Sequence, residues 1–338
     1  MPFRDVSGHR PALKLIARAI ARNTLPSPLL FAGPGGIGKR GIAIAIAQAL
    51  NCLKTTPSDD LEIDACGACP SCLRIARQVH TDVITIEPGE SGTIKIEQVR
   101  DAIGHTGFRP FEGRKRVVIV DEADAMVPAA QNALLKTLEE PPSGSVFILI
   151  SAMADSLLPT VRSRCSLLRF GPLAAADIVA VLMRGHGYSA ADAHTAALEA
   201  DGSLARALES RSIDLVEVRA AARRLLERTA HTAEPARRLE AAEIVKMKSG
   251  TAVAEERNAL AACLRTLLSL LRDIGVIPSN ADTRLLANAE LETELRQLAD
   301  GFNARRSRQA FAAVDAALTA LERNASPKLV ADWLVLQL

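Results

Sequence analysis

The chain has 338 residues, 48% of them apolar and only 3% aromatic, and its 41 Lys and Arg nearly balance 39 Asp and Glu, leaving +2. That length accommodates two or three domains with substantial cores. The near-neutral balance excludes a global field demanding nucleic acid, so any DNA contact falls to a local patch. The opening MPFRDVSGHRP lacks an apolar signal-peptide core, and no apolar run reaches the ~18 residues of a membrane span, which predicts a cytoplasmic protein.

In chain order, Leu29–Ala32 reads as a strand entering a glycine loop, followed by a helix over Ile42–Leu50. A cysteine-bearing, loop-rich insertion comes next, then a strand at Asp82–Ile86 and a helical pattern from Ile94 to about Gly107. Arg116–Val120 is a strand ending in acids, Pro128–Glu139 a helix, Val146–Ile150 a strand and Leu167–Phe170 a last short one. Runs such as VVIV and VFILI, apolar at every position, suit strands buried on both faces, and strands alternating with helices predict a parallel sheet covered on both sides. Beyond Gly171 and Pro172 strand signals vanish. Residues 172–212 predict short helices interrupted by Gly185, Gly187 and Gly202, and 213–338 longer ones. Two apolar stripes stand out there: Leu260, Leu264, Leu267, Leu271, Ile274, and Phe311, Val314, Leu318, Leu321. Such stripes serve as core or as subunit interface.

Gly33-Pro34-Gly35-Gly36-Ile37-Gly38-Lys39 follows a strand and opens a helix, the context a phosphate-binding loop requires. Glycines let backbone N–H groups turn around an anion, the helix N-terminus adds its dipole, and Lys39 would reach terminal phosphates. Position 40 should then be Ser or Thr, to ligate Mg2+, and it is Arg40, whose guanidinium offers a metal no lone pair. The loop therefore reads as a relic or as nucleotide-binding only, with ATP and Mg2+ vestigial or absent. Asp121 and Glu122 end an apolar strand, where a working ATPase holds its Mg2+ shell and polarises water; alone, two acids at a strand end are commonplace.

Four of the six cysteines fall within 21 residues, Cys52, Cys66, Cys69 and Cys72. Two overlapping CxxC steps plus a distant fourth thiolate suit a closed, structural tetrahedral Zn2+ site better than disulfides or a redox pair. Ser163-Arg164-Cys165 is by itself weak: a loop arginine is usually a solvated charge.

The segment Asn132-Ala133-Leu134-Leu135-Lys136-Thr137-Leu138-Glu139-Glu140-Pro141-Pro142, taken with Ser163-Arg164-Cys165, closely resembles the clamp-loader branch of the AAA+ ATPases. Bacterial members carry a four-cysteine zinc module after the phosphate-loop helix, where Cys52–Cys72 stands. The resemblance covers residues ~3–210 with ordered motifs; the remainder matches in length and texture, ending in an Asn324-to-Leu329 stretch common in the branch. It implies a RecA-like α/β domain over 1–171 with a zinc module at 52–72, a helical lid over 172–212 and an all-α collar over 213–338. It also implies a five-subunit loader that opens the beta sliding clamp on primed DNA, in which gamma/tau motor subunits hydrolyse ATP, with a delta subunit beside them. Arg164 would be the finger entering a neighbour's ATP site, Ser151 the first sensor and Arg206 the second. Arg40 brings the resemblance nearest the non-hydrolysing delta-prime type. A gamma/tau motor, a separate DNA-dependent ATPase and a purely architectural zinc-and-helix module are the alternatives.

Overall fold

Three runs in the first half of the chain are apolar at every position, and they form the buried centre of a five-stranded parallel sheet. This is a computed structural model, and it describes residues 1–209 except 59 and 90, then 215–231, 240, 242, 253–277, 288, 291–302, 304–322 and 325–338. Strands β1 (Leu29–Ala32), β5 (Arg116–Val120) and β6 (Ser145–Ser151) are buried at all positions. At the edges stand β4 (Val83–Ile86) and the largely exposed β7 (Ser166–Arg169), in the order β4-β5-β6-β1-β7. All pairings are parallel, as the alternation of strands with helices predicts. Registers such as Ile86 opposite Val120 and Ala32 opposite Ser151 align the strands' C-terminal ends along one edge.

Covering the sheet are α1 (Arg10–Ala21), α2 (Lys39–Asn51), α4 (Ile96–Thr106), α5 (Pro128–Glu139) and the short α6 (Pro159–Arg162). One face packs Ile42, Ile46 and Ala49 of α2 against Phe31, Val117 and Ile148. The other packs Val99, Leu134 and Leu138 against Val118, Val120, Phe147 and Leu149. Successive side chains of one strand thus feed opposite cores, which is why the runs are apolar without alternation.

The insertion after α2 is more ordered than its composition suggests. It forms an antiparallel hairpin of β2 (Thr56–Ser58) and β3 (Leu61–Asp64), then α3 (Pro70–Ala76). Asp64 fastens it to the N-terminal segment, accepting from the Phe3 and Arg4 amides at 2.8 and 3.2 Å and from Arg4 Nη1 at 3.1 Å. Helices α7 (Ala175–Gly185), α8 (Ala190–Glu199) and α9 (Leu204–Glu209) belong with the sheet to one unit, residues 1–209.

The second unit, 210–338, is helical in its described parts: Leu215–His231, Val253–Val276, Glu292–Gly301, Ala304–Glu322 and Pro327–Gln337. The expected boundary near 212 and the start of the Asn324 stretch lie outside the described residues. Leu260, Leu264, Leu267, Leu271 and Ile274 are all buried in this unit's core. The second stripe is rotated from expectation. Phe311 is 41% exposed, and the inward face is Ala310, Val314, Ala317 and Leu321, because small alanines let neighbouring helices approach closely. Among the described residues no helix is long and apolar enough to cross a membrane.

Candidate functional site

Residues 33–39 wrap the C-terminal end of β1. Gly33 and Gly36 are there for space as well as conformation: a Cβ on Gly33 would lie 2.1 Å from the Phe170 carbonyl, and one on Gly36 2.3 Å from Ser203 Oγ. Gly35 and Gly38 are exposed, with Gly38 in the left-handed region at φ 95°. The start of α9 docks on this loop directly. Ser203 Oγ donates to the Gly35 carbonyl at 3.1 Å, and the Ala205 amide to the Gly36 carbonyl at 3.1 Å. Lys39 is buried and turns back on its own loop, donating to the Gly33 and Pro34 carbonyls at 2.6 and 2.5 Å. Burial pulls its ammonium down to about 8, with Asp124 and Asp121 opposing the shift.

Arg40 occupies the position where a metal-ligating hydroxyl was expected. Its Nη1 donates to Asp121 Oδ2 at 3.3 Å, while Nη2 donates to Gln78 Oε1 at 3.0 Å and to Glu87 Oε1. Burial raises the Asp121 carboxyl above its ordinary range, with Arg40 opposing the rise and Glu87 adding to it. Mg2+ requires about six oxygens at ~2.0–2.1 Å in octahedral array, and a guanidinium seated between the carboxylates contradicts that donor set in charge and volume. The site does not fit a divalent cation. Glu122 follows at φ 48°, exposed, its amide donating to Asp121 Oδ1 at 3.1 Å.

Ser151 ends β6 beside the loop, its carbonyl accepting the Gly33 amide at 3.3 Å. The residue is fully buried, and its Oγ has no hydrogen-bond partner among the described residues. Such an orphaned hydroxyl is uncommon in a native interior. Arg206 lies on α9, 3.8 Å from Asp201. A cavity of about 340 Å³ opens nearby between the N-terminal segment and α7, lined by Arg4, His9, Arg10, Asp177 and Arg184 among others. His9 links it to the loop through Nε2 and the Ile37 carbonyl at 3.1 Å.

Arg164 stands apart from this cluster. The Ser166 amide bonds the Pro28 carbonyl at the N-terminal start of β1, so Arg164 lies at the opposite edge of the sheet from the loop. Four strand residues at ~3.3 Å separate the edges by about 13 Å. Its guanidinium is clasped within the chain: Nε donates to Glu139 Oε1 at 2.7 Å, Nη2 to the same oxygen, and Nη1 to the Thr160 carbonyl at 2.8 Å.

The sulfurs of Cys52, Cys66, Cys69 and Cys72 all lie within 4.8 Å of one another. A tetrahedral Zn2+ at ~2.3 Å from each sulfur separates the sulfurs by about 3.8 Å, so the donor set fits zinc. Backbone amides point at the thiols: Cys66 N–H to Cys52 Sγ at 3.2 Å, and Cys69 N–H to Cys66 Sγ at 3.3 Å. Burial pushes Cys52 and Cys72 up. It would also raise Cys69, but the amides of Cys72 and Leu53 and the neighbouring thiols outweigh it and hold Cys69 at about 6.

Sequence reasoning missed Glu87, Gln78 and Glu139 as partners of the key arginines, and Ser203 and Ala205 as contacts of the loop. Glu87 had a signal. It directly follows β4 as Asp121 follows β5, and parallel register places residues one past paired strand ends side by side.

Residues 8–174 match the family model described as DNA polymerase III, delta subunit. Over 137 residues the chain is 41% identical to DNA polymerase III subunit delta' of Pseudomonas aeruginosa, covering 40% of each protein. Over 166 residues it is 34% identical to subunit tau of Escherichia coli, covering 48% of this chain and 24% of that protein. The matches thus span well under half the length of these relatives. A DNA polymerase III gamma-subunit-related protein of Thermotoga maritima aligns over 88% of this chain and 99% of its own, at 17% identity and TM-score 0.40. From the N-terminal helix to the end of the sheet, residues 8–174 thus match the family of bacterial DNA polymerase III clamp-loader subunits.

Proposed function

We propose that the chain is the delta-prime-type component of its clamp loader: a subunit that hydrolyses no ATP itself and lends Arg164 to the ATP site of a neighbouring gamma/tau motor subunit. The observation that carries this reading is Arg40, whose guanidinium is bound to Asp121 and Glu87 where a motor subunit needs a hydroxyl and Mg2+. Phosphoryl transfer in such sites depends on a metal bridging the β- and γ-phosphates, and removing its ligand removes the reaction. The placement of Arg164 supports the second half of the proposal, since a finger on the far edge of the sheet serves another chain's phosphates and not its own.

Its partners on this reading are the gamma/tau and delta subunits, with the beta sliding clamp and primed DNA engaged through the complex in the cytoplasm. Residues 1–171 act as the RecA-like AAA+ domain, 172–212 as its lid and 213–338 as the collar that joins the subunits. Leu329 (69% exposed) and Trp333 (44% exposed), one turn apart on the last helix, are apolar groups available for that contact. Cys52, Cys66, Cys69 and Cys72 hold a structural Zn2+ that fixes the insertion. The orphaned Ser151 hydroxyl and the exposed Gly35 and Gly38 leave residual nucleotide binding open to the loop, without turnover.

Steady-state ATPase assays test the proposal: the pure chain should be inactive, and should raise DNA-stimulated turnover when added to gamma/tau and delta. Turnover by the isolated chain at a motor subunit's rate would favour the gamma/tau reading. No effect on the reconstituted complex would reduce the chain to an architectural module.

A further inference from the structure

Arg40 does more than lack a metal-binding hydroxyl. Paired strands β4 and β5 deliver Glu87 and Asp121 side by side, one residue beyond Ile86 and Val120. Two carboxylates so placed repel each other, and Asp121, with a side chain only 16% exposed, has little water to dilute the charge. In a metal-dependent site a divalent cation resolves this repulsion. Lys39 is committed elsewhere, its ammonium bonded to the Gly33 and Pro34 carbonyls. The group bonded to both acids is the Arg40 guanidinium, which reaches Asp121 with one nitrogen and Glu87 and Gln78 with the other.

We infer that Arg40 is a tethered counter-cation, which takes the place of the divalent metal between Asp121 and Glu87 and makes the phosphate loop permanently independent of Mg2+. Four elements meet there: α2 carries Arg40, the turn after α3 supplies Gln78, and the ends of β4 and β5 supply the acids. Unlike a bound ion, this cation cannot dissociate and cannot be chelated. The inference concerns the isolated chain and stands whether or not Arg164 serves a neighbour.

The test is to remove the cation and supply one from solution. Wild type, Arg40→Ala and Arg40→Lys would be purified with zinc retained, placed in buffer freed of other divalent ions, and melted by far-UV circular dichroism with and without millimolar Mg2+. Mn2+ binding would be followed in parallel by electron paramagnetic resonance. Wild type should melt at the same temperature in both buffers and show no Mn2+ site beyond weak surface association. Arg40→Ala should melt lower in the metal-free buffer, recover with Mg2+, and bind Mn2+ at least about tenfold more tightly than wild type. Adding Asp121→Asn to Arg40→Ala should abolish that site. Arg40→Lys keeps a charge and should gain no Mn2+ binding. Mg2+-dependent melting or tight Mn2+ binding in wild type would overturn the inference. So would an Arg40→Ala protein that loses stability without recovering it in Mg2+, because the arginine would then be an ordinary ion-pair partner. No readout here involves ATP turnover, so failure leaves the finger proposal untouched, and the reverse holds.

Discussion

Replacing Asp82 by Ala should cost the sheet unit about 4 kcal/mol and release the loop before β5, because one buried carboxylate holds that loop from two sides. Asp82 accepts the amides of Phe111, Glu112 and Gly113, each at 2.8 Å, and pairs with Arg116 Nη2 at 2.8 Å. Arg116 in turn collects the carbonyls of His105, Phe108 and Arg109. The two side chains are 0% and 7% exposed. Removing one partner of a buried pair leaves a bare charge, at roughly 3–5 kcal/mol, and strands three amides that water can only partly satisfy. An independent handle is the carboxyl itself. Burial would raise it, yet the amides and Arg116 hold it at about 2 against an ordinary 3.8. That gap is worth about 2 kcal/mol for charged over neutral Asp82. Because the folded value is the lower one, this stability is fully present above pH 3.8 and disappears as pH falls through about 2. Urea unfolding by far-UV circular dichroism suits the measurement, since the chain's one tryptophan, Trp333, reports on the other unit. Asp82→Ala should also speed amide exchange at 111–113, and Asp82→Asn should lose only the part of the stability that falls away in acid. A loss below about 1 kcal/mol with unchanged exchange would refute the account.

Arg164→Ala should fold and assemble normally but lower the DNA-stimulated ATPase of a reconstituted loader, partially because other sites keep their fingers, and Arg164→Lys should not restore it; unchanged turnover would end the finger role. Glu139→Gln should free the guanidinium from its clasp and alter that same turnover without changing the melting temperature by more than a degree or two. Metal analysis of untagged protein should return one Zn2+ per chain, and stripping it should loosen residues 51–75 before the sheet. A chain ending at residue 209 should stay folded yet fail to co-purify with gamma/tau and delta; full-strength retention would refute the collar assignment.

The sheet was legible because each buried strand declares itself locally: Val117–Val120 and Val146–Ile150 are apolar throughout, and the acids after the first follow in the same few residues. The glycine loop at the end of β1 and the grouping of the four cysteines were legible for the same reason. What the sequence hid are relations between segments. Arg40 finds Glu87 only once β4 and β5 are in register, and Arg164 finds Glu139 only once α5 and the turn after α6 are brought together. The β2–β3 hairpin escaped because strands of three and four residues are too short to show a period, and Pro57 argues against one. Phe311 misled because its size drew the apolar stripe toward it, while the packed face is drawn by alanines.

The two arginines sit on opposite rims of one sheet, and that gives the molecule a direction. A protein that donates from one rim and receives at the other can join copies of its kind only head to tail, never as a self-complementary pair. In this chain the charged groups of the rim with the glycine loop are engaged by its own residues: Lys39 bonds the loop carbonyls, Arg40 bonds the acids, and Ser203 and Ala205 donate to the Gly35 and Gly36 carbonyls. On the proposed reading such a unit gives to one neighbour and takes from none. On that reading its place in a row of subunits is the terminus, and the row would be an open arc and not a closed ring.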